Sequence, residues 1–369
     1  MILCANPSAQ FRSYQTEIEE AVLAVMRGNH FILGEEVGSL EQEFANYIGT
    51  SEAIGVANGT DAIELALRAL NIGAGDEVIT VSHTAVATVA AIEATGAILV
   101  LVDVEPQFYT LNPLQLEEVI TPKTKAIIAV HLYGQPADLD PIVDFCKSNK
   151  LYLIEDCAQA HGAKYKGRRL GSIGDIGCFS CYPTKNLGAI GDAGLVTTSN
   201  DLAVKIRKLR EYGWSNRISE YQGRNSRLDE IQGAILRVKL KYLDSDNEKR
   251  RQLAAYYKKQ LSDLPIQIPE IRTEVESVYH LYVIQVKEQQ KFIEYLLGKD
   301  IQAGVHYLVP VHLQPAYKDR ILTAKDMSVT ENLTKKIVSL PMYPELSVSE
   351  AENIVIAIKS FFELEFETV

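Results

Sequence analysis

The sequence predicts an α/β protein, with a mainly parallel sheet covered by helices and a smaller C-terminal α/β unit. Short apolar runs alternate with segments whose apolar residues recur at helical spacing as far as about residue 155. Near residue 240 a charged run marks a shift in composition, and a shorter stretch with its own alternation follows. With 369 residues and 47% hydrophobic content, the chain can bury a large core and should form about two domains. The boundary falls so that residues 1–245 form the large domain and 246–369 the small one.

The elements follow in order. Residues 17–27 and 39–48 carry apolar positions at helical spacing, and 53–57 reads as a short strand running into Asn58-Gly59-Thr60. The spacing predicts a helix over 61–70. Strand 77–81, helix 85–94, strand 98–102, helix 114–120, strand 126–130, helix 140–147 and strand 151–155 repeat the order. A parallel sheet of this kind binds ligands at the carboxyl ends of its strands, so functional residues are expected just beyond them. Past the shift, 231–257 reads as one or two helices, and 279–286, 291–297 and 354–362 as parts of the small unit. The charged run 246–251 reads as a solvated helix face. No internal repeat or low-complexity tract is present.

Several classes of function are disfavoured. A net charge of -11 argues against nucleic acid and anionic membranes. Glu93 interrupts the longest apolar stretch, and the N-terminus lacks the pattern of a secretory signal. Five cysteines, an odd number, then suggest reduced thiols and a cytoplasmic protein, with Asn58 and Asn332 as chance matches to a glycosylation pattern. Phosphate-loop and dinucleotide glycine fingerprints are missing. Cys178 and Cys181 form a C-x-x-C, but residues an odd number apart on a strand face opposite ways, and nothing completes a zinc set. No metal is expected.

The stretch CFSCYPTKNLGAIGDAG, residues 178–194, holds one lysine, Lys185, among small, apolar and turn-forming residues. Asp156 follows an apolar strand and should emerge at the ligand edge, where an aspartate also commonly caps a helix. Gly59-Thr60 opens a helix, which makes either a phosphate cradle or a plain turn. Together, a poorly solvated lysine, a carboxylate and a phosphate cradle are the groups pyridoxal phosphate requires: a Schiff-base amine, a partner for the ring nitrogen and a phosphate site. Burial lowers a lysine's pKa, and a drop of about three corresponds to roughly 4 kcal/mol.

Five ordered stretches, FILGEEVGSLEQEFANYIG, VANGTDAIELAL, IEDCAQAHGA, GCFSCYPTKNLGAIGDAG and GRNSRLDEIQGAIL, resemble the DegT/DnrJ/EryC1/StrS family of sugar aminotransferases, and the likeness spans essentially the whole chain. The resemblance implies a pyridoxal 5'-phosphate enzyme of fold type I, like aspartate aminotransferase, acting as a homodimer with shared active sites. It makes Lys185 the Schiff-base lysine and Asp156 the ring-nitrogen partner. Gln159 would bond the phenolic oxygen, Gly59, Thr60 and Ser180 would hold the phosphate, and Asn225 would reach it from the other subunit. Many relatives have an aromatic residue stacked on the ring where this chain has Ala85, and His83 is the candidate to replace it. His306, Tyr307 and His312 would line the sugar-nucleotide entrance, although the same segment could serve as a rigid loop. Arg207, Lys208, Arg210 and Arg217 could meet a diphosphate; a solvated helix face also explains the first three.

The activity so implied is transfer of an amino group from glutamate, which leaves as 2-oxoglutarate, to a nucleotide-linked keto-sugar. Tyr182-Pro-Thr-Lys185-Asn-Leu-Gly188 resembles members that aminate C-3, which points to a dTDP-3-keto-6-deoxyhexose. The alternative is a C-4 aminotransferase of a UDP-, GDP- or dTDP-4-keto sugar. Dehydratases of the family have histidine where this chain has Lys185, a nicotinamide oxidoreductase would need the missing fingerprint, and a non-catalytic regulatory protein would leave the cofactor residues unexplained.

Overall fold

The computed structural model describes residues 1–367. Its main sheet has the strand order Glu52–Val56, Gly194–Thr198, Ile176–Ser180, Tyr152–Asp156, Thr124–Val130, Glu77–Val81, Ile98–Val102 and Leu322–Thr323. Every neighbouring pair is parallel except the two made by Gly194–Thr198, which runs against both its neighbours. The central strands are apolar throughout because both faces are covered, and Glu77–Val81 is buried at every position. Each expected strand appears, its ends displaced by at most a residue or two.

The helix Gly59–Ala69 begins two residues before the expected start, because the Asn58 side chain caps it by accepting the Asp61 N–H at 2.8 Å. Small residues line this helix, and it is buried along most of its length between the sheet and Val86–Ala94. The expected helix 114–120 is instead a 3₁₀ turn, Pro113–Gln115, followed by a single turn Leu116–Val119. Residues 231–257 divide into Glu230–Leu240 and Leu243–Leu261.

A second, smaller core joins Tyr257, Tyr282, Ile284, Phe292, Leu340 and Ile358. It is built on the antiparallel pair Tyr282–Gln285 and Ile337–Leu340, with Leu243–Leu261, Gln289–Leu297 and Val348–Glu367 supplying helices. The chain crosses between the two parts more than once. Leu322–Thr323 returns to edge the main sheet, and Ile2 bridges to Ile301.

Two expectations of solvated charge are corrected. Within 246–251, Asp246, Asn247 and Arg250 are buried while Glu248 and Lys249 face out. Their spacing places them on the inner face of Leu243–Leu261, where Arg250 donates to the Met342 carbonyl at 2.9 Å and Asn247 to the His161 carbonyl at 2.8 Å. Likewise Arg210 is buried against Glu41 at 2.5 Å and the Gly55 carbonyl at 2.7 Å, and Arg207 spans Glu41 and Glu52. These arginines close off the outer edge of the sheet. Lys208 pairs with Glu220 at 2.6 Å.

Among the described residues no helix is long and apolar enough to cross a membrane. All five cysteines are free, and Cys181 lies just past the end of its strand.

Candidate active site

The carboxyl ends of the central strands bring together most of the expected residues. Asp156 ends Tyr152–Asp156, and the chain beyond it makes turns rather than a helix, so the capping alternative fails. Its Oδ1 accepts the Ala158 N–H at 3.1 Å and its Oδ2 accepts the Thr88 hydroxyl at 2.7 Å. Because the carboxylate only accepts, Thr88 donates its proton there and must itself accept from Thr84, 3.1 Å away. Burial raises the Asp156 pKa, opposed by the Thr88 bond, the Ala158 N–H and the positive field of Lys185. Thr88 orients a buried charge, and sequence reasoning gave it no role.

Lys185 lies in the connection between Ile176–Ser180 and the antiparallel Gly194–Thr198. Its backbone N–H turns back to the Tyr182 carbonyl at 2.8 Å, and its amine forms no hydrogen bond among the described residues. Desolvation lowers its pKa to about 8, opposed by Asp156 and Cys181, which favour the charged form. A fraction of the amine is therefore neutral and nucleophilic near pH 7.

Gly59 starts its helix against Ser180, the last residue of the next strand but one. A Cβ at Gly59 would come within 2.6 Å of the Ser180 Cβ, so only glycine permits the approach. Asn58 takes the Asp61 N–H, while the first N–H groups of the helix, at Gly59 and Thr60, have no intrahelical acceptor. Together with the Ser180 hydroxyl they form a concave set of donors at a positive helix end.

Gln159 is buried between two tyrosines. Its Oε1 accepts the Tyr133 N–H at 2.7 Å and its Nε2 donates to the Tyr307 hydroxyl at 3.0 Å. Tyr133 in turn donates its hydroxyl proton to the His306 carbonyl and therefore accepts from His83 Nε2, 2.7 Å away. That order of donors leaves the buried His83 Nδ1 as an acceptor without a partner. Burial lowers His83 to about 4, so the ring is neutral, packed edge-on to Tyr109 and Tyr133. His306 bonds Ser339 at 2.9 Å, and burial with the nearby Lys185 lowers its pKa.

His312 and Asn225 stand apart from this group. Both ring nitrogens of His312 are engaged, Nδ1 with Ser82 at 2.7 Å and Nε2 with Glu331 at 3.2 Å, which fixes the loop rather than leaving a free donor. Asn225 is exposed. Its neighbours hold it beside the helix Gly59–Ala69 of the same chain, Ser226 through the Ala57 N–H and Arg224 through Glu64 and Asp61.

Sequence reasoning also missed His161 and His280, which come to the lysine from other segments, and gave no positional role to Asn186, the residue after it, which meets His280 Nδ1. His161 is fully buried, and desolvation followed by Lys185 lowers it to about 3, against a backbone contact with Ser180 that favours the charged ring. It lies in the quoted IEDCAQAHGA stretch, where a polar ring among apolar residues was the available clue.

His131, Glu155 and Cys157 have ligand-type atoms within 4.8 Å of one another. The lone pairs of His131 and Glu155 are already used. His131 Nδ1 accepts the Ala137 N–H, so Nε2 donates to Glu155, whose oxygens also accept the N–H groups of Gly171, Ile173 and Gly174. The cluster clamps a loop. Lys185, Asp156 and the donors at Gly59, Thr60 and Ser180, by contrast, fit pyridoxal 5'-phosphate in chemistry: an unbonded amine, a buried carboxylate and a cradle that a Cβ would fill.

Residues 12–359 match the DegT/DnrJ/EryC1/StrS aminotransferase family. The chain is 45% identical over 350 residues to dTDP-3-amino-3,6-dideoxy-alpha-D-galactopyranose transaminase from Aneurinibacillus thermoaerophilus, covering 94% of this chain and 96% of the relative. Among solved structures, S. venezuelae DesV in complex with a ketimine intermediate superposes with a TM-score of 0.96 at 40% identity, covering 98% of both chains. NtdA from Bacillus subtilis with bound cofactor PMP gives 0.88 at 30% identity, covering 95% of this chain and 82% of that one.

Proposed function

Because this chain belongs to the DegT/DnrJ/EryC1/StrS aminotransferase family, we propose that it moves the amino group of glutamate to C-3 of a dTDP-linked 3-keto-6-deoxyhexose. The unbonded Lys185 amine, lowered to about 8 beside the buried Asp156, is the observation that carries aminotransfer. The choice of C-3 is supported by the residues flanking Lys185 and by the 3-amino sugar in the name of the A. thermoaerophilus relative.

Pyridoxal phosphate, when bound, supplies an electron sink that takes up the amino group from the donor and returns it to the keto-sugar. Lys185 would hold the cofactor covalently and, once released, carry a proton between donor or sugar carbon and cofactor carbon. Asp156, aligned by Thr88, would keep the ring nitrogen protonated. Gly59, Thr60 and Ser180 would take the phosphate. Gln159, steadied by Tyr133 and Tyr307, would orient the phenolic oxygen, and His83 would cover the ring where Ala85 offers no aromatic face. His306 and Tyr307 would border the sugar, with His312 shaping that loop through Ser82 and Glu331.

The exposed Asn225 supports a homodimer in which the partner subunit's Asn225 contacts this phosphate. Large apolar side chains left in the open, among them Phe31, Ile190 and Leu308, are of the kind a second copy covers. We place the enzyme in the cytoplasm, in keeping with its free thiols, and divide the chain near residue 245, with the segment about Leu322–Thr323 returning to the large domain. Supplying glutamate with matched 3-keto and 4-keto sugar nucleotides, and locating the new C–N bond by NMR, tests the regiochemistry. Amination of the 3-keto sugar is expected; efficient reaction of the 4-keto sugar alone would overturn C-3 and leave aminotransfer standing.

A further inference from the structure

Beneath the Lys185 segment lies a second buried lysine, Lys239, on the helix Glu230–Leu240. Its ammonium donates to the Gly188 carbonyl at 2.6 Å and to Gln10 Oε1 at 3.0 Å. Neither acceptor is a carboxylate. Burying a cation on neutral acceptors is costly, and burial lowers its pKa to about 8 while Glu345 and Asp246 support its charge from further off. A methionine would fill similar space without that cost, so the cation calls for a reason.

The reason lies in what it holds. Gly188 closes the turn that carries Lys185 so tightly that a Cβ there would fall 2.5 Å from the Pro183 carbonyl oxygen and 3.0 Å from that of Lys185. The same Gln10 amide that accepts from Lys239 donates to the Asn186 carbonyl at 3.4 Å. The Asn186 side chain is fixed separately, donating to Asn247 at 2.8 Å and to the Val278 carbonyl at 3.1 Å and meeting His280 Nδ1 at 3.0 Å. Both residues that follow Lys185 within this turn and carry these bonds are therefore tied down, while the Lys185 amine itself bonds nothing.

We propose that Lys239 is a positioning residue for Lys185: its ammonium and the Gln10 amide together fix the backbone from Asn186 to Gly188 and so set the direction of the amine. The inference rests on Lys185 being the reactive amine of the proposed function. Displacing a reacting group by about 1 Å can cost on the order of 10²-fold in rate, so a loosened turn should be visible in turnover.

The test compares the whole protein with Lys239→Met, Lys239→Arg and Gln10→Leu. In cofactor-free protein, Lys185 is titrated by the pH dependence of its acylation with acetic anhydride, read by mass spectrometry; kcat and KM are measured in the loaded enzyme. For Lys239→Met the Lys185 midpoint should rise from about 8 toward that of a solvated lysine, and kcat should fall about tenfold with KM for the sugar unchanged. Lys239→Arg should recover most of both, and Gln10→Leu should shift the midpoint less in the same direction. An unmoved midpoint in folded Lys239→Met overturns the proposal, as does an unmoved midpoint in Gln10→Leu should the methionine variant fail to fold. A shifted midpoint in a protein without aminotransfer would support the positioning and sink only the functional reading.

Discussion

Asp156 and Lys185 face the same space but are placed by opposite means. The carboxylate is bonded through its side chain, to Thr88 and the Ala158 N–H, and would stay aligned with nothing bound. The lysine is held only through the backbone around it, and its amine forms no hydrogen bond among the described residues. A group that stays still through a reaction can be pinned by its own atoms, whereas one that must attach, let go and carry a proton can be aimed only through its base.

The sharpest break in that contrast comes from removing the mobile partner. Lys185→Ala should fold normally and lose turnover by on the order of 10⁵-fold, the scale for loss of a covalent nucleophile. If the phosphate site is shared between subunits, mixing these chains with Asn225→Ala chains should restore one intact site per heterodimer. Mixed dimers no more active than either parent, with subunit exchange verified, would count against the sharing.

The static partner should fail in two steps of different size. Asp156→Asn should slow turnover by on the order of 10³-fold through loss of the charge. Thr88→Val keeps the charge and removes one bond to it; the cost of an unpaired buried acceptor, about 1–3 kcal/mol, predicts roughly a tenfold loss. Steady-state kinetics measure both. Equal losses would mean that Thr88 does more than orient Asp156, and no loss in Thr88→Val would free the carboxylate from that control.

A smaller effect is expected from pH alone. Since desolvation lowers Lys185 to about 8, most of its amine is protonated below that value and the free, nucleophilic fraction grows as pH rises through it. The rate at which the cofactor-free protein takes up pyridoxal phosphate, followed by absorbance, should therefore rise with pH and level off above about 8. A rate still climbing steeply at pH 10 would show an amine solvated like any surface lysine.

The parts legible in the sequence were those with local causes. Short apolar runs and helical spacing gave the strand and helix order, and strand ends exposed Asp156 and the Gly59 turn, because topology converts position in the chain into position at the sheet edge, while Ser180 came from the family resemblance. Thr88 acts on a residue 68 positions away, and Lys239 on Gly188 across 51, so no neighbouring residue announces either role. The charged run at 246–251 misled for a related reason. Composition reports charge but not which helical face is covered, and here the inner face of that helix carries Asp246, Asn247 and Arg250 into the seam beside the lysine turn.

In the main sheet only Gly194–Thr198 runs antiparallel to its neighbours, and this shapes how the protein assembles. Between parallel neighbours the chain must leave by a long crossover, but between antiparallel ones it doubles back at the same end of the sheet. The turn bearing Lys185 is thus the tip of a hairpin closed by Ser180 and Gly194, a contact that costs little chain entropy to form. Asp156 reaches its final surroundings only when Thr88 arrives from far upstream. During folding, then, the chain can close the hairpin that bears Lys185 from local contacts, while the bonds from Lys239 and Gln10 that fix its turn, like the pocket it serves, wait on distant segments.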